Sequence, residues 1–314
     1  MLSRVAERLY WHGRYMERAE NTARLVNVNA LLMLDLPGAV DVSWHNLIDI
    51  SDSEKAFASH YQKLDERNVI RHMLADARNP GSILTCLRMA RENARTTREI
   101  LPTEAWEILN ATYHHVRDSG STGVARKNRH AFLNQVIAAC QELAGLYDGV
   151  LSRGPAYWFT QLGRHVERAD MTSRILDVGS APLLAIRSEA ATDDPIENAL
   201  WLNVLRSLSA YQMYRQNVHD RVNAEDVVAF LLLDEDFPRS VTFCLNRLNQ
   251  HLERLPRADD ARRTTGHALR QVRAADIQGL LGHDLHAFID EVQTTIAAVH
   301  EGIADTWWPR PSPP

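Results

Sequence analysis

The chain has 314 residues, of which 45% are hydrophobic, and a formal net charge of -5. This size and composition allow a sizeable buried core, whereas the acidic balance and the lack of a basic stripe argue against a nucleic-acid partner. The amino terminus lacks the apolar run of a signal peptide, and no segment approaches the roughly 20 apolar residues that span a bilayer. We therefore expect a cytoplasmic protein with no membrane partner.

Helical patterns begin at the amino terminus. Heptad-like apolar spacing over residues 2–30 predicts a long first helix that ends before Pro37-Gly38. Asp65, three residues before Asn68, predicts a side-chain cap for a short helix that runs towards Pro80, after which another helix opens. Two further helices are predicted over residues 102–117 and 129–150, and a Gly/Ser turn over residues 119–123.

The second half shows the same order of signals. A long helix is entered through Gly154-Pro155, with proline at the first turn, and is predicted to end near residues 179–182. Asn223, three residues before Asp226, predicts the matching cap ahead of Pro238. The last two helices are predicted over residues 259–274 and 283–305. Alternating strand patterns do not occur, so the chain is predicted to be all-α, with six helices in each half.

A twelve-residue string of the form G-R-x-x-E-R-A-x-x-T-x-R occurs twice, at residues 13–24 and 163–174, with seven positions identical. Shorter similar pairs follow in the same order, such as residues 44–48 with residues 201–205. The sequence therefore predicts an internally duplicated helical bundle whose halves are related by a pseudo-twofold axis. We assign residues 1–150 to the first repeat, 151–308 to the second, packed on the first as one globular unit, and 309–314 to a disordered tail.

The repeated string places charges along the edge of an apolar seam. On a helix, Gly13, Glu17, Glu20 and Arg24 share one stripe, and residues 163, 167, 170 and 174 repeat it. Glycine lowers helix propensity, so its presence in both stripes indicates close approach of another helix or a ligand. Twofold packing would bring the stripes together as one composite site with four carboxylates and several arginines.

This site has a structural and two functional interpretations. The charges can simply satisfy one another across a helix interface, as the i,i+4 spacing of Glu20 and Arg24 allows. They can instead bind a peptide-like or zwitterionic substrate, because arginines supply forked donors and glutamates accept an amine. The residues proposed to bind substrate are Arg14, Glu20, Arg24, Arg164, Asp170 and Arg174. If a neighbouring acid raises the pKa of Glu17 or Glu167, that residue can also act as a catalytic general acid or base for amide chemistry.

The same acids invite comparison with carboxylate metal sites. Glu17-x-x-Glu20 and Glu167-x-x-Asp170 resemble half of the ligand pattern of four-helix di-metal proteins, but the Glu-x-x-His half is missing. Adjacent arginines would also repel a cation. We therefore expect no metal, and the absence of a phosphate-binding loop gives no support for a nucleotide cofactor.

The aromatic residues before each motif, Tyr10, Trp11, Tyr157 and Trp158, either wall the same pocket or pack in the core.

The opening segment from Ser3 to Arg24 resembles the signature of the bacterial alpha-E domain family, and the likeness extends along the whole chain. It includes the second signature at residues 163–170 and the segment Phe237-Pro238-Arg239-Ser240-Val241, which is similar to a family motif of the form Pro-Arg-Ser-Val. That likeness adds Arg239 to the substrate-binding residues. The first copy departs from the motif, since Gly81 follows Pro80.

The resemblance implies an all-helical protein encoded near, or fused to, circularly permuted ATP-grasp ligases and often near transglutaminase-like peptidases. That setting suggests a component of a system that forms or modifies peptide or amide bonds. The partners it implies are the ATP-grasp ligase, the transglutaminase-like peptidase and a peptide-like substrate. Three classes stay open: a binding module, an enzyme that uses Glu17 and Glu167, and a purely structural helical scaffold.

Overall fold

The computed structural model describes residues 1–35, 44–187 and 195–309. Within these ranges the chain forms fifteen α-helices and one π-helical turn, and it contains no β-strand. The prediction of an all-α protein is therefore confirmed. No described helix is both long and apolar enough to cross a lipid bilayer.

More helices are present than the sequence predicts. Those up to residue 150 are α1 Ser3–Asp35, α2 His45–Ile50, α3 Glu54–Ala58, α4 Glu66–Leu74, α5 Ile83–Arg95, α6 Thr103–Val124 and α7 Arg126–Val150. Those after it are α8 Pro155–Arg187, α9 Pro195–Ser207, α10 Tyr211–Asn217, α11 Ala224–Leu233, α12 Val241–Leu252, α13 Asp259–Arg273, α14 Ile277–Gly279 and α15 Leu285–Trp307, with the π-helical turn at Leu280–Asp284. The expected six helices per half is wrong for the described residues, which hold seven and eight. Segments as short as α3 and α14 cannot display a helical period.

Side-chain caps fix the start of the short helices where the sequence predicts them. The Asp65 carboxylate accepts a hydrogen bond from the backbone N–H of Asn68, and the Asn223 side chain accepts one from the N–H of Asp226, both at 2.9 Å. Ser82 and Ser240 cap α5 and α12 in the same way. These bonds satisfy donors that the first helical turn leaves without partners.

Two predicted breaks lie inside helices. α6 continues through residues 119–123, and α8 continues through residues 179–182 to Arg187. An added Cβ at Gly123 would meet the Phe132 ring at 2.5 Å, and one at Gly179 would meet Val204 at 2.6 Å. Each glycine therefore serves close packing of a neighbouring helix and does not form a turn, which the local sequence cannot distinguish.

The two longest helices, α1 and α8, have 33 residues each and pack against one another at the centre. α5 and α7 flank α1, while α12 and α15 flank α8; α6 and α13 cover the outside of each group. The buried apolar side chains of both groups form one continuous core. The duplication and the boundary after residue 150 stay predictions, and residues 310–314 of the predicted tail lie outside the described residues.

Candidate functional site

The central helices approach each other at the two motif glycines. A Cβ added to Gly13 would lie 2.1 Å from the carbonyl oxygen of Thr160, and one added to Gly163 would lie 1.9 Å from that of Tyr10. Neither position can hold a larger residue without separating the helices. The close approach predicted from the glycines is therefore present, and another helix, not a ligand, fills the space.

Glu17 accepts hydrogen bonds from three arginines. Arg168 of α8 donates from Nε and Nη2, each at 2.8 Å, to the two carboxylate oxygens. Nη1 of Arg239, just before α12, lies 2.9 Å from Oε1, and Nε of Arg164 lies 3.3 Å from Oε2. The Glu17 side chain is 2% exposed, so an α1 carboxylate is buried among guanidinium groups from the other half of the chain.

Glu167, a carboxylate of α8, is bound in turn by arginines of α1. Arg18 of α1 donates from Nε at 2.5 Å and from Nη2 at 2.9 Å, and Nε of Arg14 lies 2.7 Å away. We call the bonds of Glu17 with Arg164 and Arg168, and those of Glu167 with Arg14 and Arg18, the crossed ion pairs. The structure thus brings Glu17, Glu167, Arg14 and Arg164 together in one place.

A second layer surrounds Glu20. Its Oε1 accepts from Nη2 of Arg24 at 2.7 Å and from Nη2 of Arg239 at 2.8 Å. Arg239 also donates to the Asn21 side chain at 2.6 Å, and its own carbonyl accepts from the Thr172 hydroxyl. Arg239 therefore belongs to the α1 cluster. The first half has Gly81 in the corresponding position, so no third arginine reaches Glu167 from that segment.

The remaining predicted pair stands apart. Arg174 bonds to Asp170 one turn earlier on α8 at 3.1 Å, and it also approaches the exposed carboxylate of Asp52 to 4.0 Å. Both side chains of the pair keep some exposure. Asp170 and Arg174 thus form an intrahelical pair of the kind that the structural interpretation predicts, outside the crossed ion pairs.

Both buried glutamates are ionised at neutral pH. Burial by itself raises a carboxyl pKa, but Arg168 and Arg239 hold the pKa of Glu17 well below its ordinary value. Burial by itself would also raise the pKa of Glu167, but Arg18 and Arg14 lower it to about 2. The condition for a general acid or base, a pKa raised by a neighbouring acid, is not met because the nearest charged groups are arginines.

A cleft of about 370 Å³, a volume that includes space open to solvent, lies beside the crossed ion pairs, between α1, α7 and α8. We call it the central cleft. Glu17, Glu20, Gln161 and Arg164 line it with apolar side chains of α7. None of the four aromatic residues before the motifs is among the described residues that line this cleft, so of the two interpretations the structure supports packing in or against the core.

His12 and Tyr147 also line the central cleft. The Tyr147 hydroxyl donates to Nε2 of His12 at 2.8 Å, and Nδ1 of His12 donates to the carbonyl of Ala90 at 3.1 Å. This pattern requires a neutral imidazole, and burial lowers the pKa of His12 to about 4. These two side chains therefore make a part of the wall that is polar but uncharged.

The two sides of the crossed ion pairs differ in bulk. Trp11 lies over the Arg14 guanidinium, with 5.3 Å between that group and the ring centroid, and Tyr10 is fully buried against Trp308. Thr160 and Gln161 occupy the positions 150 residues later. The Arg164 side chain is consequently 22% exposed, whereas that of Arg14 is 10% exposed.

Two other clusters of described residues hold three potential metal ligands within 4.8 Å of one another, and neither includes a residue of the crossed ion pairs. They are His45, Asp49 and Glu54, and Asp177, His286 and Asp290. In each cluster the histidine already contacts a carboxylate, at 2.9 Å for His45 and 2.7 Å for His286. Ion pairing accounts for both arrangements.

Sequence reasoning missed the arginines that bind the glutamates most closely. Arg18 and Arg168 are part of the repeated string, but they fall outside the stripe drawn from Gly13 and Gly163. Gln161 was also missed, because its contact with the cleft depends on where α7 lies. The available signal for the arginines was the Glu-Arg dipeptide, present in both copies of the string.

Fold and site together describe an all-helical protein whose central helices are joined through two Glu-Arg dipeptides. Residues 1–308 match the family named Alpha-E, described as a predicted alpha-helical domain with a conserved ER motif. The chain belongs to this family. That match covers both copies of the repeated string and every helix of the structure.

The curated relatives are much longer than this chain. An uncharacterized protein of Mycobacterium bovis and two of Mycobacterium tuberculosis are each 23% identical over 326 residues, a match that covers 96% of this chain and 36% of each relative. The chain thus spans about a third of their length. No solved structure matches the chain.

Proposed function

We propose that this protein is a binding module of a system that forms or modifies peptide bonds, and that it holds a zwitterionic, peptide-like substrate in the central cleft. The observation that carries the proposal is the presence of Glu20 and Arg164 on the wall of one small cleft. A zwitterion needs an acceptor for its amine and a donor for its carboxylate. The cleft offers both within a largely apolar wall.

Each of these two side chains keeps capacity for a ligand. Every hydrogen bond that Glu20 accepts within the described part of the chain is at Oε1, which leaves Oε2 for an ammonium group. Arg164 makes the longest contact of the crossed ion pairs, 3.3 Å to Glu17, and it approaches the exposed Asp148 only to 3.7 Å. Its guanidinium can therefore turn towards a carboxylate without losing a close partner.

The pKa directions favour binding over catalysis. A general acid or base works best with a pKa near the operating pH, whereas the arginines keep Glu17 and Glu167 ionised. In this proposal the crossed ion pairs form the rigid wall of the binding site. The catalytic use of Glu17 and Glu167 is the alternative, and it predicts turnover that disappears in Glu17→Gln without a loss of folding.

The proposed protein partner is a circularly permuted ATP-grasp ligase, with a transglutaminase-like peptidase as a further member of the system. The family resemblance supports this partner, and the length of the relatives beyond the matched region fits a module that works beside other domains. Co-purification of the tagged protein with the ligase tests it. Retention of the ligase by the wild type would support the partnership, and no retention would contradict it.

Calorimetric titration tests whether the protein binds a zwitterionic peptide. Alanyl-alanine carries both charges, while its N-acetylated, C-amidated form carries neither, so we expect saturable binding of the first only. Arg164→Gln and Glu20→Gln should each weaken that binding at least about tenfold, the loss of one charge-assisted contact. Arg174→Gln is the matched control, because Arg174 is likewise an arginine of α8 that pairs with an acid, but it lies outside the cleft. Equal binding of the blocked peptide, or an equal loss in Arg174→Gln, would refute the proposal.

A further inference from the structure

A second cavity lies between α1, α2, α8 and α9, towards the carboxyl ends of the two central helices. Its volume is about 430 Å³, including space open to solvent, and the described residues that line it differ from those that line the central cleft. We call it the polar cavity. Its wall combines aliphatic side chains such as Leu25 and Ile175 with a group of small polar residues, namely Asn29, Asn46, Asn203 and Ser207.

Three polar atoms of this wall are buried without a hydrogen-bond partner among the described residues. They are Nδ2 of Asn29, Oδ1 of Asn203 and Oγ of Ser207. Asn29 is 4% exposed and Ser207 is 2% exposed, so bulk water does not satisfy them. A buried polar group left unpaired is destabilising, so three in one cavity indicate a missing polar partner.

The chemistry of the wall restricts that partner. No charged side chain lies among its described lining residues, and an ionic ligand would therefore lack a counter-charge. Asn29 needs an acceptor, Asn203 needs a donor, and the Ser207 hydroxyl can serve as either. A single amide group carries a carbonyl acceptor and an N–H donor.

We propose that the polar cavity binds an uncharged, amide-bearing molecule, with its carbonyl on Asn29 and its N–H on Asn203. Water alone would satisfy the same atoms, but it would leave the aliphatic part of the wall without apolar contacts. A ligand with an amide and a short carbon chain satisfies both parts. This site is separate from the zwitterion site of the central cleft, and either can fail without the other.

Two small probes of equal heavy-atom count test the inference on the full chain. N-methylacetamide offers both a donor and an acceptor, whereas butanone offers only an acceptor. In ¹H–¹⁵N NMR titrations we expect N-methylacetamide to shift the side-chain amide signals of Asn29 and Asn203 saturably, with a millimolar Kd typical of so few atoms. Butanone should bind at least about tenfold more weakly, because it leaves Oδ1 of Asn203 unpaired.

Variants distinguish binding in the polar cavity from binding at the protein surface. Asn29→Leu and Asn203→Leu should abolish binding of N-methylacetamide. Asn27→Leu is the control, since this residue of α1 bonds to Asn134 on the surface. Ser207→Ala is the smallest of these changes and should weaken binding of N-methylacetamide. It provides the test if a leucine variant fails to fold.

A cavity filled by water only gives no saturable shifts, and that result overturns the inference. Equal affinities for the two probes, or unchanged binding in a folded Asn29→Leu or Ser207→Ala protein, overturn it as well. Binding of alanyl-alanine in the central cleft reports on the other proposal, so the two failures are distinguishable.

Discussion

Glu17 and Arg168 form a two-point ion pair between α1 and α8, and both side chains are almost completely buried. Removal of one partner from a buried pair leaves an uncompensated charge, which typically costs about 3–5 kcal/mol. We therefore expect Glu17→Gln to lower the free energy of unfolding by about that amount. Urea denaturation followed by circular dichroism measures it.

Glu92→Gln is the control for this variant. Glu92 pairs with Arg95 one turn later on α5, and both side chains are about half exposed. Exposed pairs of this kind contribute about 0–1 kcal/mol. A similar loss of stability in the two variants would mean that the crossed ion pairs do not hold the central helices together.

Gly13→Ala should separate α1 from α8. The new Cβ would lie 2.1 Å from the carbonyl oxygen of Thr160, and a backbone atom cannot yield as the end of a side chain can. We expect a loss of about 3 kcal/mol or more in unfolding free energy. The midpoint of urea unfolding gives the value.

Gly145→Ala provides the opposite case. Gly145 is an exposed residue of α7, and a Cβ there meets nothing within 4 Å. Alanine in a helix interior is favoured over glycine by about 0.5–1 kcal/mol, so this variant should be more stable than the wild type. Destabilisation of both variants by the same amount would show that close helix packing is not the reason for Gly13.

Four buried histidines make the fold sensitive to mild acid. Burial lowers the pKa of His12 and His251 to about 4, and it also lowers that of His72 and His165. Their unfolded pKa is about 6.5, so the unfolded chain binds more protons and stability falls as pH drops from about 6.5 to about 4. Each histidine contributes at most about 1.4 kcal/mol per pH unit in that window.

Unfolding free energies measured between pH 7 and pH 4 test this dependence. His165→Phe keeps an aromatic ring beside Phe243 and removes one titrating group, whose Nδ1 has no partner among the described residues. The variant should therefore show a shallower loss of stability with falling pH. A flat profile for the wild type above pH 5, or an unchanged slope in the variant, would contradict the prediction.

The three cysteines should be inert in the folded protein. Cys86, Cys140 and Cys244 are buried free thiols, and burial raises the pKa of Cys86 and Cys244 to about 12. Since the thiolate is the reactive form, we expect a thiol-specific chromogenic reagent to modify all three only in denaturant. Rapid modification of one thiol in the native state would contradict this, and Cys140, which lines the central cleft, is the residue to examine first.

Local sequence signals predicted much of this fold because they depend on neighbours in the chain. Asp65 and Asn223 cap helices where predicted, since a cap involves residues three positions apart. A glycine in the local sequence, however, is compatible either with a helix break or with a close contact between helices. Gly123 and Gly179 suggested breaks, yet each lies within a helix at a contact with another one.

The features of the candidate site can likewise be separated into those determined by the sequence and those decided by the tertiary structure. The repeated string by itself determined that acids and arginines lie along the edges of two long helices, because helical spacing follows from chain order. Only the tertiary structure decided that Glu17 bonds to Arg168 and Glu167 to Arg18, since these partners lie about 150 residues apart. It also decided the direction of the pKa shifts, because electrostatic energy depends on distance and burial in the folded protein and not on position in the chain.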